Sequence, residues 1–266
     1  MKNSAGIDGL SFAPGNAQAQ GKRGDQQDSF GFSDPADAAF LAHGGLLAVV
    51  ADGMGGLEHG AEASRIAVRS FLDTYRAKTP DEEISRALAR AIEAADRAVF
   101  EFAAALKLEH EVGTTLVAAA LCARGLEWIS VGDSALYLCQ GGAVNSLARP
   151  HTLGARLDQL VEQGSLAPEA AREASARDAL TSYVGIGGLR EIDQSAAPVA
   201  IDAGDAVILC SDGLYRALEP DEICATANSA PDAQSACDAM AEAALARDLP
   251  HQDNVTVLCV KVMRRI

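Results

Sequence analysis

Three apolar runs in this sequence stop abruptly at aspartate, and a fourth begins just after one. They are Val49-Val50-Ala51-Asp52-Gly53, Ile129-Ser130-Val131-Gly132-Asp133, Leu209-Cys210-Ser211-Asp212-Gly213, and the segment His251-Gln252-Asp253-Asn254 before the last apolar run. A strand is stiff, so an aspartate at its end is held in place better than one on a loose loop. Aspartate is short and presents hard oxygen, the ligand type suited to Mg²⁺ or Mn²⁺. One Asp-Gly after a strand reads most simply as a turn. Four such aspartates in a chain of net charge −15 point further, to a shared cation site. Crowded carboxylates without a cation would force one another to protonate.

The segment Asp52-Gly53-Met54-Gly55-Gly56 carries three glycines directly after an apolar run. Glycine lets the backbone approach a ligand closely, and the Gly53 carbonyl is itself a candidate metal ligand. A phosphate-cradling loop is the competing reading, but no lysine follows in the P-loop arrangement. Upstream, Gly21-Lys22-Arg23-Gly24-Asp25-Gln26-Gln27-Asp28 sets two cations among polar residues. Arginine is suited to bidentate phosphate binding; on a loop it reads first as a surface charge.

The elements that would position these groups follow from periodicity. Strands are expected at Leu46–Ala51, Thr114–Cys122, Leu126–Val131, Ala135–Gln140, Asp205–Ser211 and Asn254–Val262. Helices are expected at Glu62–Ala77, at Pro80–Leu108 with Thr79 as N-cap and Glu82 completing a capping box, and at Pro231–Arg247. Ser33–Gly45 reads as a loop insertion, and Arg149–Ala179 as an insert of helical composition from about Leu153. Hairpin-length connections such as Ala123-Arg124-Gly125 imply antiparallel neighbours. The expected class is α+β, with two packed antiparallel sheets flanked by helices.

The 266 residues, 48% of them hydrophobic, supply a core for a single domain over 1–266. The acidic surface would repel nucleic acid and anionic membrane, so neither is expected as a partner. No apolar run reaches membrane-spanning length, and Met1–Gln20 has neither a basic nor an apolar leader region, so a cytoplasmic location is expected. The six cysteines lack CxxC spacing and several sit in apolar runs; they read as buried, reduced thiols.

Taken in order, Arg23…Gln27-Asp28-Ser29, Asp52-Gly53-Met54-Gly55-Gly56, Gly113-Thr114-Thr115, Val131-Gly132-Asp133-Ser134, Ser211-Asp212-Gly213-Leu214 and Asp253-Asn254 resemble the PPM or PP2C family of metal-dependent Ser/Thr protein phosphatases, in its bacterial form. The resemblance runs from about Gly21 to Val260. It implies a two-sheet sandwich with a dinuclear Mn²⁺ or Mg²⁺ centre at one end. Asp52 is implied as the carboxylate bridging both ions, the Gly53 carbonyl as a ligand of the second, and Asp212 and Asp253 as ligands of the first. Asp28 would stand behind them and orient water, and Arg23 would clamp the substrate phosphate. Asp133, with Asp212, would serve a third, weaker metal position.

The sequence departs from the family pattern at Arg216, where many members carry an acid that helps hold the third ion; a guanidinium there argues against full occupancy of that position. Arg149–Gly188 corresponds to the mobile flap of bacterial members. The implied substrate is a phosphorylated protein, the implied setting a Ser/Thr kinase pathway, and a monomer is expected. The alternative is a catalytically silent, phosphoprotein-binding module of the same fold, and the presence of Asp52, Asp212 and Asp253 argues against it.

Overall fold

The run Leu46-Leu47-Ala48-Val49-Val50-Ala51 has no polar side because both of its faces are covered. A computed structural model, describing residues 9–54 and 58–265, places it in β3 (Leu46–Met54). Leu46, Ala48 and Val50 point into the core between two sheets, while Leu47, Val49 and Ala51 point into a second core beneath helices. Successive side chains of a strand alternate faces, so a strand buried on both reads as a continuous apolar run. Gly55 and Gly56, part of the glycine-rich motif, lie outside the described residues.

In chain order the elements are β1 (Leu10–Ala19), β2 (Asp28–Phe32), α1 (Ala38–Gly44), β3, α2 (Glu58–Arg76), α3 (Ile84–Leu106), β4 (Gly113–Thr114), β5 (Leu116–Cys122), β6 (Gly125–Val131), β7 (Ala135–Gln140) and β8 (Ala143–Ser146). They continue with α4 (Leu153–Glu162), α5 (Pro168–Glu173), β9 (Asp193–Gln194), β10 (Ala206–Cys210), α6 (Asp212–Tyr215), α7 (Pro220–Ser229), α8 (Ala233–Ala246) and β11 (Val255–Arg264). One sheet has the order β1-β11-β10-β7-β8. The other runs β2-β3-β5-β6-β9, with β4 added to β3. Every pairing is antiparallel. Helices α2 and α3 cover the second sheet and α7 and α8 the first, which is the expected sandwich.

Four strands, β1, β2, β8 and β9, were not expected from the sequence. β1 contains Pro14 and Gly15, both poor strand residues. Proline is tolerated because β1 is an edge strand that, among the described residues, pairs only with β11. Gly15 is required because a Cβ there would lie 2.4 Å from the Ala233 backbone of α8. The helix expected from Pro80 starts instead at Ile84, with Glu83 as N-cap. Glu82 is drawn off by a two-pronged pairing with Arg90, at 3.0 and 2.9 Å, so no capping box forms there. The insertion at 33–45 contains α1, and the helical insert is broken in two between Glu162 and Pro168.

The reading of all six cysteines as reduced is corrected at one pair. Cys139 on β7 and Cys224 on α7 face each other across the helix–sheet interface, 5.5 Å apart at Cα, and form a disulfide. That spacing is within the reach of the bond. Cys122, Cys210, Cys237 and Cys259 are free thiols.

The segment from 149 to 188 leaves the first sheet after β8 and returns beside the second, bridging Thr152 to Leu180 and Val184 to Thr114. Its return is pinned by Asp96 of α3, buried at 5% exposure. The Asp96 carboxylate accepts from the backbone N–H of Gly185 at 2.7 Å, Gly188 at 2.8 Å and Gly187 at 3.4 Å. All three glycines have φ between +79° and +130°, a region side chains resist. Asp96→Ala strands these donors and is expected to cost on the order of 3 kcal/mol. Thermal unfolding and amide hydrogen exchange at 185–188 check it.

Candidate active site

The site grows from strand register. Asp28 opens β2 and stands opposite Asp52 on β3, so the pairing itself sets two carboxylates side by side. The Asp52 backbone is gripped on both sides: its N–H donates to Thr115 Oγ1 at 3.0 Å, and its C=O accepts from Thr114 Oγ1 at 2.8 Å and Thr115 N–H at 2.9 Å. This is the work of Gly113-Thr114-Thr115. Gly53, next along, has no room for a side chain, since a Cβ would lie 2.1 Å from the Gly60 carbonyl oxygen.

Asp212 begins α6 with only Ser211 between it and β10, and Asp253 precedes β11 with only Asn254 between them. These two strands are neighbours in the other sheet, so the sandwich brings its two sheets' aspartates to the same end. Asp133 follows β6 and accepts from the Tyr215 hydroxyl at 3.2 Å. Its loop is fixed by buried His151, whose N–H donates to the Gly132 carbonyl and whose Nδ1 accepts from Gly132 N–H. Burial lowers the His151 pKa; it is a neutral, structural histidine.

Electrostatics shows that these groups form one cluster. Burial pushes the Asp52 carboxyl well above its ordinary pKa, and Asp28, Asp212, Asp133 and Asp253 push it further. Asp28 is pushed up to about 7, chiefly by burial, against the lowering effect of two hydroxyls. Those hydroxyls, Ser211 Oγ and Thr256 Oγ1, each donate to Asp28 Oδ2 at 2.7 Å. Asp212 is pushed up to about 6 by burial, opposed by Arg216. Burial also raises Asp133.

Two arginines supply the countercharge. Arg23 Nη2 meets Asp253 Oδ2 at 2.6 Å, and Arg216 Nε meets Asp212 Oδ2 at 2.9 Å. Arg216 also reaches Asp178, at 3.7 Å, in the inserted segment. The loop carrying Arg23 is tied down by Asn254, whose side chain accepts from Gln27 N–H and donates to the carbonyls of Gln20 and Asp25.

The residues fit a divalent centre. Among the described residues, Asp28 Oδ1 and Asp212 Oδ1 are buried and have no hydrogen-bond partner, although buried polar atoms are otherwise almost always paired. Five carboxylates face two guanidinium groups. Among the described residues, no three His, Cys, Asp or Glu side chains form a ready-made cage. A site for Mg²⁺ or Mn²⁺ needs few protein oxygens, because these ions keep much of their water.

All the residues singled out from the sequence, Arg23, Asp28, Asp52, Gly53, Asp133, Asp212 and Asp253, lie at this end of the sandwich. Thr256 and Tyr215 were not anticipated; each acts through a hydrogen bond to an aspartate more than eighty positions away.

The protein phosphatase 2C family model matches residues 21–253. The chain belongs to the protein phosphatase 2C family. Membership bears out the resemblance read from the motifs: this is a metal-dependent serine/threonine protein phosphatase. The serine/threonine phosphatase stp of Listeria monocytogenes is 30% identical over 81% of this chain and 84% of its own length. The structure of the PPM phosphatase MsPP from Mycobacterium smegmatis, in complex with cacodylate, superposes with a TM-score of 0.72 at 30% identity, covering 94% of this chain and 97% of MsPP. The catalytic domain of the phosphatase PstP in complex with two manganese ions superposes at 0.73 and 25% identity, covering 96% and 99%. The two-sheet sandwich is thus the architecture of the family.

Proposed function

We propose that this phosphatase hydrolyses phosphoserine and phosphothreonine esters at the carboxylate cluster, with two Mn²⁺ or Mg²⁺ ions held by Asp52, the Gly53 carbonyl, Asp212 and Asp253. The supporting observation is the pair of buried, unpartnered oxygens, Asp28 Oδ1 and Asp212 Oδ1, amid carboxylates whose proton affinity is raised by crowding and burial. Divalent ions bound there supply positive charge against the phosphoryl oxygens and make water a better nucleophile near neutral pH. The protein's own groups do the positioning. Thr114 and Thr115 hold the Asp52 backbone rigid. Ser211 and Thr256 fix one oxygen of Asp28 and leave the other to accept from a water.

Arg23 uses one of its five N–H donors on Asp253 and is 57% exposed at the side chain. Its remaining donors are available to phosphate oxygens, where charge-assisted bonding is strongest. Arg216 already holds Asp212, so a third ion shared by Asp133 and Asp212 is disfavoured and the centre is dinuclear.

The finer setting is part of the proposal: a single domain with the segment at about 149–188 as its flap, a cytoplasmic monomer, and a phosphoprotein substrate whose modification a Ser/Thr kinase installs. It rests on the Ser/Thr phosphatases named above among the relatives; no helix among the described residues is long and apolar enough to cross a membrane. The test is phosphate release from a phosphothreonine peptide with added Mn²⁺. Release should cease with excess EDTA and return when Mn²⁺ is restored; undiminished release in EDTA would reject the proposal.

A further inference from the structure

Strand β2 is an open edge. Gln27 and Ser33, flanking it, bond inward to β3 through Gly53 N–H→Gln27 C=O and Ser33 N–H→Leu47 C=O. Antiparallel bonding alternates along a strand, so the N–H and C=O groups of Phe30 and Phe32 point outward. At the end near the carboxylates the edge is closed: Asp28 N–H donates to Gln26 Oε1, and Asp28 C=O accepts from Gln18 Nε2. Beyond it, no other strand among the described residues pairs with β2.

Along this edge runs a groove of about 550 Å³, which starts at Asp28 and Gln26 and is walled by α2. Leu72 presses so closely on Gly31 that a Cβ there would lie 2.6 Å from it, which fixes the helix beside the strand. The floor is apolar, with Phe30, Phe32 and Leu72. The rim carries Arg65, Arg69 and Arg76 against one Asp73. Arg65 pairs with Glu62 and Arg69, at 4.0 Å, with Asp73, both highly exposed, where ion pairs hold little. Among the described residues, Arg76 has no ion pair. On a chain of net charge −15, this rim is locally basic.

We propose that this groove docks an extended, acidic segment of the phosphoprotein substrate, adding it to the β2 edge and fixing which sequences reach the site. This rests on the phosphatase reading above. Main-chain bonds to Phe30 and Phe32 give a sequence-independent grip, and glutamate or aspartate side chains meet the arginines. The eleven residue steps from Arg65 to Arg76 span roughly 16 Å of helix, about five residues of extended chain. Only substrates with acidic residues several positions from the phosphorylated residue gain from it.

The test compares Arg69→Glu/Arg76→Glu with the unsubstituted protein on four substrates with Mn²⁺. These are p-nitrophenyl phosphate, a short phosphothreonine peptide, one extended by about eight residues on each side with outer glutamates, and the same extension with lysines in their place. The expected result is a KM raised about tenfold for the long acidic peptide alone, with kcat unchanged, and near-normal KM in Arg69→Lys/Arg76→Lys. An unchanged KM for the long peptide, or an equal rise for an extension carrying lysines, would overturn the proposal. So would loss of self-association in the reversed variant without any change in KM, since the groove would then hold a second copy. Failure of the unsubstituted protein to turn over p-nitrophenyl phosphate would instead bring down the phosphatase reading, and this inference with it.

Discussion

Asp52→Asn is expected to lower kcat by about a thousandfold or more while leaving the metal-free fold at least as stable as before. The two halves have one cause. Asp52 is a carboxylate that the protein surrounds with four others and with low-dielectric interior, so its charge is unfavourable until a cation arrives. Asparagine keeps the shape and removes the charge. It also removes a carboxylate that would hold the ions. Melting should therefore separate the roles: without metal the variant melts at the same temperature or higher, and the rise that Mn²⁺ gives the unsubstituted protein is lost. A variant that melts far lower in EDTA would mean that Asp52 is structural.

The metal-free protein is also expected to lose stability as pH rises from about 4 to about 7. In the unfolded chain Asp28 and Asp212 titrate near 3.8; in the fold they are held up to about 7 and about 6. Between those limits the native state binds more protons than the unfolded one, so the slope of unfolding free energy with pH is negative. The stabilising protonation is complete below the unfolded values and gone above the folded ones. Asp28 and Asp212 together contribute on the order of several kcal/mol across this window. Chemical denaturation in EDTA at several pH values measures the slope, and saturating Mn²⁺ should flatten it, because a cation takes over the proton's role. A metal-free stability that climbs steadily over this range would contradict the crowded-carboxylate reading.

What the sequence disclosed about the site was whatever lies at a strand end. Asp52, Asp133, Asp212 and Asp253 each abut an apolar run, so their rigidity could be read locally, and the acidic excess pointed to a shared cation. Their support could not be read in this way. Thr256 and Ser211 reach Asp28 across 228 and 183 positions, and only strand register says that they meet. Nothing local singled out Asp96, since its partners are backbone N–H groups of glycines 89 to 92 residues on. β1 hid for a different reason: Pro14 and Gly15 lower its strand propensity, and what makes them acceptable is an open edge and a helix backbone at close range. Arg216 was recognised as a misfit beside a metal position, yet its grip on both Asp212 and Asp178 emerges only once the insert is folded back over the site.

Anomalous diffraction from crystals grown with Mn²⁺ tests the dinuclear centre most directly. Two manganese peaks are expected, both within bonding distance of Asp52, one also ligated by Asp212 and Asp253, with Arg216 still on Asp212 and no third peak beside Asp133. Manganese absent from this end of the sandwich, or bound there without Asp52, would contradict it.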